Sequence, residues 1–125
     1  MTYLLDVNVL LSGVWSNHPL HPRAFAGIEG KSLAVCPLAE LGFIRISTEP
    51  SAGIRAGMED ARTALQQFLE GRKVQRINDD LPALESHPKT SKQVTDHCLA
   101  ALAGKHGFKL ATLDERVKHP AVVLL

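Results

Sequence analysis

Four acidic side chains stand in apolar stretches of the sequence, where a charged group is unfavourable without a partner. Asp6 interrupts the run YLLDVNVLL, and Asp114 follows directly on the run KLATL. Glu40 and Asp96 fall in the first turns of two predicted helices, on faces that carry apolar residues three and four positions later. Carboxylates gathered in partial burial repel one another unless a countercharge is present. Their hard oxygens therefore predict a bound divalent cation, Mg²⁺ or Mn²⁺.

A divalent ion held by such carboxylates supports the hydrolysis of phosphodiester bonds. One ion lowers the pKa of a bound water that attacks phosphorus, and the same ion or a second one stabilises the leaving oxygen. Each acid taken alone also has an ordinary explanation, because single acids commonly cap turns or complement the helix dipole. The joint placement of all four at one edge of a sheet is what favours a catalytic site.

Short apolar runs alternate along the chain with longer helical stretches, which predicts the elements that position these acids. We predict five strands, over residues 2–7, 32–37, 73–78, 109–113 and 121–125. The predicted helices cover residues 8–13, 22–30, 38–48, 58–72 and 91–107. Such alternation is typical of an α/β fold with a mostly parallel sheet covered on both faces. Ligands bind such sheets at the carboxyl ends of the strands, where the strand order reverses, and both Asp6 and Asp114 are predicted there.

Two of the predicted helices carry specific expectations about their inward faces and their ends. In the helix over 38–48, Leu38, Leu41 and Ile44 share one stripe and are predicted to face the core. In the last helix, Ser91 is the candidate N-cap.

The composition is that of an ordinary globular domain, which we predict to span residues 1–125 as one unit. The net charge of +1 gives no overall attraction to nucleic acid, so any such binding must come from local patches. No apolar run is long enough to cross a membrane, and the apolar N-terminal stretch contains Asp6 and lacks a basic start. We therefore predict a cytoplasmic protein, in which Cys36 and Cys98 are buried free thiols.

The order of these motifs resembles the PIN domain and, within that family, the VapC-type toxins of prokaryotic toxin–antitoxin pairs. LLDVNVLL (4–11) is similar to the family's opening strand with its D-x-N-x-L motif, and PLAELGFIRI (37–46) to the segment that carries the second acid. VTDHCLAALAGKHG (94–107) is similar to the third acidic segment, and KLATLDERV (109–117) to the last one, with its T-x-D pattern. The likeness covers essentially the whole chain.

The resemblance implies a Rossmann-like three-layer α/β/α sandwich and an endoribonuclease that depends on Mg²⁺ or Mn²⁺ and cuts structured RNA such as tRNA or rRNA. It also implies a homodimer and a small antitoxin whose C-terminal segment covers the acidic cleft. By this resemblance Asp6, Asp96 and Asp114 are the metal-side acids and Glu40 is the fourth catalytic acid.

The same resemblance implies supporting roles for two polar residues, and at one position the chain departs from the family pattern. Asn8 would steady Asp6 or a metal-bound water by hydrogen bonds, and Thr112 would do the same for Asp114. Many relatives carry a further Asp two residues after the last acid, whereas this chain has Arg116 there.

Other functions stay open on the sequence alone. The first alternative is a PIN-like module that regulates by protein contact and has lost catalysis; the four intact acids argue against it. Phosphoryl chemistry of the haloacid dehalogenase type would require a second Asp where Asn8 stands, and a response-regulator receiver would require paired acids at the first strand and a late lysine.

Two surface features have both a functional and a structural interpretation. Trp15, beside the segment HPLHP, could stack on a base, although a packing role is favoured. Six basic residues in the middle of the chain could line a phosphate track or form a solvated face: Arg45, Arg55, Arg62, Arg72, Lys73 and Arg76.

Overall fold

The structure, a computed structural model, describes residues 1–125 and contains one five-stranded sheet in the order β3-β2-β1-β4-β5. Every neighbouring pair of strands is parallel. In the centre, Leu4 of β1 is in register with Ala34 of β2 on one side and Leu110 of β4 on the other. The strands are β1 (Thr2–Leu5), β2 (Ser32–Val35), β3 (Gln75–Arg76), β4 (Lys109–Thr112) and β5 (Val122–Leu124).

Five α-helices cover the sheet: α1 (Val7–Val14), α2 (His21–Ile28), α3 (Pro37–Thr48), α4 (Met58–Gly71) and α5 (Val94–Lys105). The chain runs outwards from β1 to β3 and then crosses back to β4. Right-handed connections therefore place the first four helices on one face of the sheet and α5 on the other, against β1 and β4. The predicted three-layer α/β fold with a parallel sheet of five strands is confirmed.

The first strand is shorter than predicted because its acid begins the next helix. β1 ends at Leu5, and Asp6 is the N-cap of α1, where its side chain accepts a hydrogen bond from the backbone N–H of Val7. The backbone N–H of Asp6 still donates to the carbonyl of Ala111, which is the last β1–β4 contact. The acid therefore lies where the central strand passes into a helix.

The inward face predicted for α3 is correct only in part, because Leu38 and Ile44 pack against the core with partial burial whereas Leu41 does not. The buried residues of this helix are Ala39, Phe43 and Ser47, and the side chain of Leu41 is 65% exposed. Phe43, the largest fully buried side chain, stacks on Trp15 with ring centroids 5.8 Å apart. Packing around this aromatic pair therefore buries the face of α3 that carries Ala39, Phe43 and Ser47, which are spaced four residues apart. The contact also gives Trp15 the packing role that the sequence favoured.

The N-terminal end predicted for the last helix was also wrong. Ser91–Gln93 forms a separate 3₁₀ turn, and α5 begins at Val94 with no side-chain cap. Asp96 still lies in the first turn of α5, and Leu99, Ala100 and Ala103 are buried against the sheet as expected.

Two expectations from the composition can be compared with the structure. No helix has both the length and the apolar character needed to cross a membrane. Cys36 and Cys98 are free, but only Cys36 is fully buried, and burial raises the pKa of its thiol to about 12.

Candidate active site

The strand order reverses between β1 and β4, and three aspartates gather at the carboxyl ends of these two strands. Asp6 follows β1, Asp114 stands two residues after the end of β4, and Asp96 comes from the first turn of α5. Asp96 and Asp114 line one cleft, and Asp96 and Asp6 line a second. Asp96 therefore borders both clefts.

A single buried hydroxyl joins the polar groups of this edge. The Oγ1 atom of Thr112 donates to Asp6 Oδ2 at 2.7 Å. The same oxygen accepts from Asn8 Nδ2 at 3.1 Å and from the backbone N–H of Asp114 at 3.1 Å. Thr112 is fully buried, and its bond to Asp6 is shielded from water.

Asn8 ties α1 to the segment that follows β4. Its Oδ1 accepts from the backbone N–H of Leu113 at 3.1 Å, while its Nδ2 reaches Thr112. Asn8 therefore acts on Asp6 through Thr112 rather than by a direct hydrogen bond. Together these contacts fix the three segments that carry Asp6, Asn8 and Asp114 relative to one another.

Asp6 is a carboxylate in an unfavourable setting. The residue is 2% exposed, and this burial is the main reason that its pKa rises to about 6. The charges of Asp96 and Asp114 raise the pKa further, against the hydrogen bonds from Thr112 and Val7, which lower it. A cation placed among the three aspartates would stabilise their ionised carboxylates and lower the pKa of Asp6.

The other two aspartates differ in how their charge is balanced. Burial and the nearby charge of Asp114 raise the pKa of Asp96. The pKa of Asp114 is instead lowered, because Arg116 forms hydrogen bonds with both of its carboxylate oxygens, at 2.9 Å from Nε and 3.0 Å from Nη2.

The structure does not bring Glu40 to the three aspartates. Its carboxylate is 22% exposed and lies 3.8 Å from the guanidinium of Arg76 on β3. Burial raises the pKa of Glu40, Arg76 lowers it and Asp79 raises it. Its charged neighbours thus belong to the β3 side of the sheet, although it occupies the first turn of α3 as predicted.

An apolar groove beside Asp6 and Asp96 was not predicted from the sequence. Leu38 and Leu41 of α3 line it, together with the guanidinium-bearing Arg45. Gly42 allows the close approach of α1 and α3 at its floor, since a Cβ there would lie 2.8 Å from Val7 Cγ2. The apolar stripe of Leu38, Leu41 and Ile44 in α3 could have indicated this groove, but its spacing was interpreted as a core-facing pattern.

Comparison with known proteins identifies the family. The family model described as "PIN domain" matches residues 3–123. The chain belongs to the PIN domain family. It is 36% identical over 126 residues to ribonuclease VapC38 of Mycobacterium tuberculosis, covering 91% of this chain and 86% of that protein. It is 32% identical over 131 residues to ribonuclease VapC44 of the same species, covering 98% and 92%. The resemblance to VapC-type PIN domains is confirmed.

Solved structures agree with this PIN domain in fold. VapBC2 from Rickettsia felis bound to a promoter DNA fragment superposes with a TM-score of 0.65, and DNA-bound VapBC from Salmonella typhimurium with one of 0.64. Each covers the whole of this chain and 98% or 97% of the other, with 14% sequence identity. At that identity the likeness concerns the fold alone.

Nucleases of the PIN family depend on divalent metal ions, and the residues of this PIN domain fit such an ion. The donors at the switch point are all oxygens, and Asp6 and Asp96 carry raised pKa values that a cation would lower. No three His, Cys, Asp or Glu side chains converge closely enough to enclose an ion by themselves. The donor set therefore suits an ion that keeps part of its water shell.

The raised pKa of Asp6 predicts how the stability of the PIN domain depends on pH when a chelator removes metal. A folded-state carboxyl pKa of about 6, above the ordinary aspartate value of 3.8, means that the folded protein binds more protons than the unfolded chain between these two pH values. Its free energy of unfolding therefore falls as pH rises through this range, by up to about 3 kcal/mol from this group.

This dependence can be measured by urea denaturation in EDTA at several pH values between 4 and 7.5. We expect the stability of Asp6→Asn relative to wild type to increase across this range, because the amide does not ionise. A difference between the two proteins that is constant with pH would contradict the assignment of this titration to Asp6.

Proposed function

We propose that this PIN domain is a metal-dependent endoribonuclease and the toxin of a type II toxin–antitoxin pair. Its relatives at 36% and 32% identity carry the name ribonuclease VapC. The observation that carries the proposal is the set of three aspartates at the switch point of the sheet, where burial and the repulsion between carboxylates raise the pKa values of Asp6 and Asp96. Such a set favours binding of a divalent ion next to a phosphodiester.

In the proposed site Asp6, Asp96 and Asp114 would hold the ion, Mg²⁺ or Mn²⁺, directly or through its bound waters. The bound ion supplies a water of lowered pKa and charge stabilisation at phosphorus. Thr112 and Asn8 position the acids: Thr112 fixes the Asp6 carboxylate by its 2.7 Å hydrogen bond, and Asn8 holds Thr112 in place.

Glu40 is the fourth catalytic acid of the proposal, with a smaller role than the aspartates. Its contact with Arg76 leaves it on the β3 side of the groove. From there it would orient solvent or substrate rather than hold the ion directly.

The RNA is held by cations that border the two clefts. Arg45 lines the groove next to Asp6, and Lys92 lines the cleft between Asp96 and Asp114. Cations on both sides of Asp96 would contact phosphates that flank the scissile bond. We propose structured RNA such as tRNA or rRNA as the substrate and the cytoplasm as the place of action.

The other cations of the predicted basic stretch are largely engaged within the fold. Arg72 pairs with Glu29 and lies over the ring of Phe25, and Arg76 pairs with Glu40. These contacts favour the interpretation of this stretch as a structural surface, with Arg45 and Lys73, which make no such side-chain contact, as the exceptions.

The proposed partner is a small antitoxin whose C-terminal segment covers the acidic cleft. The exposed side chain of Leu41 and the half-buried Leu38 offer such a segment an apolar strip that leads to Asp6 and Asp96. The proposed assembly also includes a homodimer of this chain, which sedimentation of the purified protein tests directly.

The activity is tested by incubating purified protein with bulk tRNA and rRNA in Mg²⁺, in Mn²⁺ and in EDTA. We expect discrete cleavage products with either ion and none in EDTA, because the acids alone provide no activated water. Products in EDTA would point to a contaminating metal-independent nuclease. Intact RNA under every condition would favour the alternative, a catalytically silent module that acts by protein contact.

A further inference from the structure

Asp114 is the one aspartate of the site that a side chain of the same protein already neutralises. The guanidinium of Arg116 donates from Nε to Oδ1 at 2.9 Å and from Nη2 to Oδ2 at 3.0 Å. The backbone N–H of Arg116 donates to Oδ1 as well, at 2.9 Å. Both carboxylate oxygens are thus occupied in a two-pronged arrangement, which is the strongest geometry available to this pair.

Arg116 has no other anchor in the structure. Its side chain is 84% exposed, and every hydrogen bond that its guanidinium makes goes to Asp114. Because the guanidinium faces solvent, water and salt screen the pair, and it opens more easily than a buried pair would. Asp114 itself is better fixed, because its backbone N–H is bonded to the buried Thr112.

A guanidinium and a divalent ion would compete for the same two oxygens. Both are cations, and each lowers the energy of the ionised carboxylate. An ion that bound Asp114 would either displace a guanidinium hydrogen bond or share Oδ2, the oxygen that accepts only one hydrogen bond, and in both cases the charge of Arg116 would lie close to the ion and repel it. The two cations therefore cannot use Asp114 fully at the same time.

We propose that Arg116 is a positioning residue that holds the Asp114 carboxylate in place and that a divalent cation displaces when it binds. This inference rests on the proposed function, since it takes Asp114 as a metal-side acid. The pair keeps the Asp114 carboxylate oriented in the metal-free protein, and the need to displace Arg116 weakens the apparent affinity for metal.

The affinity for Mn²⁺ tests the exchange without reference to activity. Free Mn²⁺ is measured by electron paramagnetic resonance in titrations of the full-length wild type and of Arg116→Gln, at pH 7.5. We expect Arg116→Gln to bind Mn²⁺ about 3- to 10-fold more tightly, as the loss of an exposed ion pair and of one repelling charge implies. Arg116→Lys, which keeps the charge but not the two-pronged contact, should lie between the two.

Lys92→Gln is the matched control for charge alone. Lys92 lines the same cleft as Asp114 but makes no hydrogen bond to it. We expect less than a twofold change in Mn²⁺ affinity for this variant. An equal gain in both Gln variants would overturn the exchange, because it would show a general effect of charge in the cleft. Unchanged affinity in Arg116→Gln would overturn it as well.

A second readout follows the guanidinium itself. In a Mg²⁺ titration monitored by NMR, the Nε–H resonance of Arg116 should shift and exchange faster with water as the ion binds. The Nε–H of Arg55, which donates to the carbonyl of Pro50 at 3.1 Å, serves as the internal control and should not move. An Arg116 resonance that stays fixed at saturating Mg²⁺ would overturn the displacement.

The outcomes separate this inference from the proposed function. Wild-type protein that binds Mn²⁺ and cleaves RNA, with Arg116→Gln unchanged in affinity, would remove only the role of Arg116. Wild-type protein that binds no Mn²⁺ at millimolar concentrations would overturn the metal site itself and, with it, this inference.

Discussion

Asp96→Asn is expected to lower the rate of RNA cleavage by about 100-fold or more while the protein stays folded. Removal of groups that merely orient a metal ligand typically lowers metal affinity or activity by about 10- to 100-fold, so the loss of a ligand itself should have a larger effect. Asp96 is the aspartate that borders both clefts of the site, and its charge acts on Asp6. The measurement is the initial rate of cleavage of one RNA substrate under saturating Mg²⁺.

Glu40→Gln is the matched control for this prediction. It removes a half-buried carboxylate from the first turn of another helix, but one whose neighbour is Arg76 rather than the aspartates. We expect less than about a 10-fold decrease in rate, because Glu40 does not share in the charge of the proposed metal site. Equal losses in the two variants would contradict this ranking and would show that Glu40 is as important for cleavage as the aspartates.

Thr112→Val is expected to destabilise the protein by about 2–5 kcal/mol. The substitution keeps the shape of the side chain and removes the hydroxyl, which leaves Asp6 Oδ2, Asn8 Nδ2 and the N–H of Asp114 without their partner. Each unsatisfied buried group costs about 1–3 kcal/mol, less where water can enter. Urea denaturation at pH 7.5 in EDTA measures the loss.

Thr112→Ser provides the control, since it keeps the hydroxyl and deletes one methyl group. Its expected loss is about 1 kcal/mol from the cavity that the methyl leaves behind. A Val variant within 1 kcal/mol of wild type, or a Ser variant as unstable as the Val variant, would mean that packing rather than hydrogen bonding makes Thr112 important.

The sequence was sufficient to predict the sheet and the edge at which the acids gather. The short apolar runs predict parallel strands, and acids that directly follow two of these runs lie at the carboxyl ends of the corresponding strands. The strand order places β1 beside β4, which brings Asp6 and Asp114 to the same edge of the sheet although they are 108 residues apart in the sequence. The position of Asp96 in the first turn of α5 follows from the apolar spacing after it.

The surroundings of Glu40 and Leu41 could not be predicted in the same way. The spacing of α3 identifies possible stripes, but the stripe that is buried depends on Phe43 meeting Trp15 from another helix. The partner of Glu40 depends on the pairing of β2 with β3, which brings Arg76 to the start of α3. Both outcomes are set by contacts between elements, and local periodicity contains no information about them.

The ion pair between Asp114 and Arg116 could be predicted from the sequence only in part. Their separation by two residues made a local pair conceivable, but the two-pronged geometry depends on the turn that follows β4.

The hydroxyl of Thr112 has a consequence for how the protein folds. Its bonds to Asp6 and Asn8 connect residues 106 and 104 positions apart, which are among the most distant contacts in the chain. Contacts of such separation form late, because the loop between them must close first. During synthesis, the three acids cannot be assembled until β4 has left the ribosome and paired beside β1. A growing chain would therefore be harmless to RNA for most of the time that it takes to make.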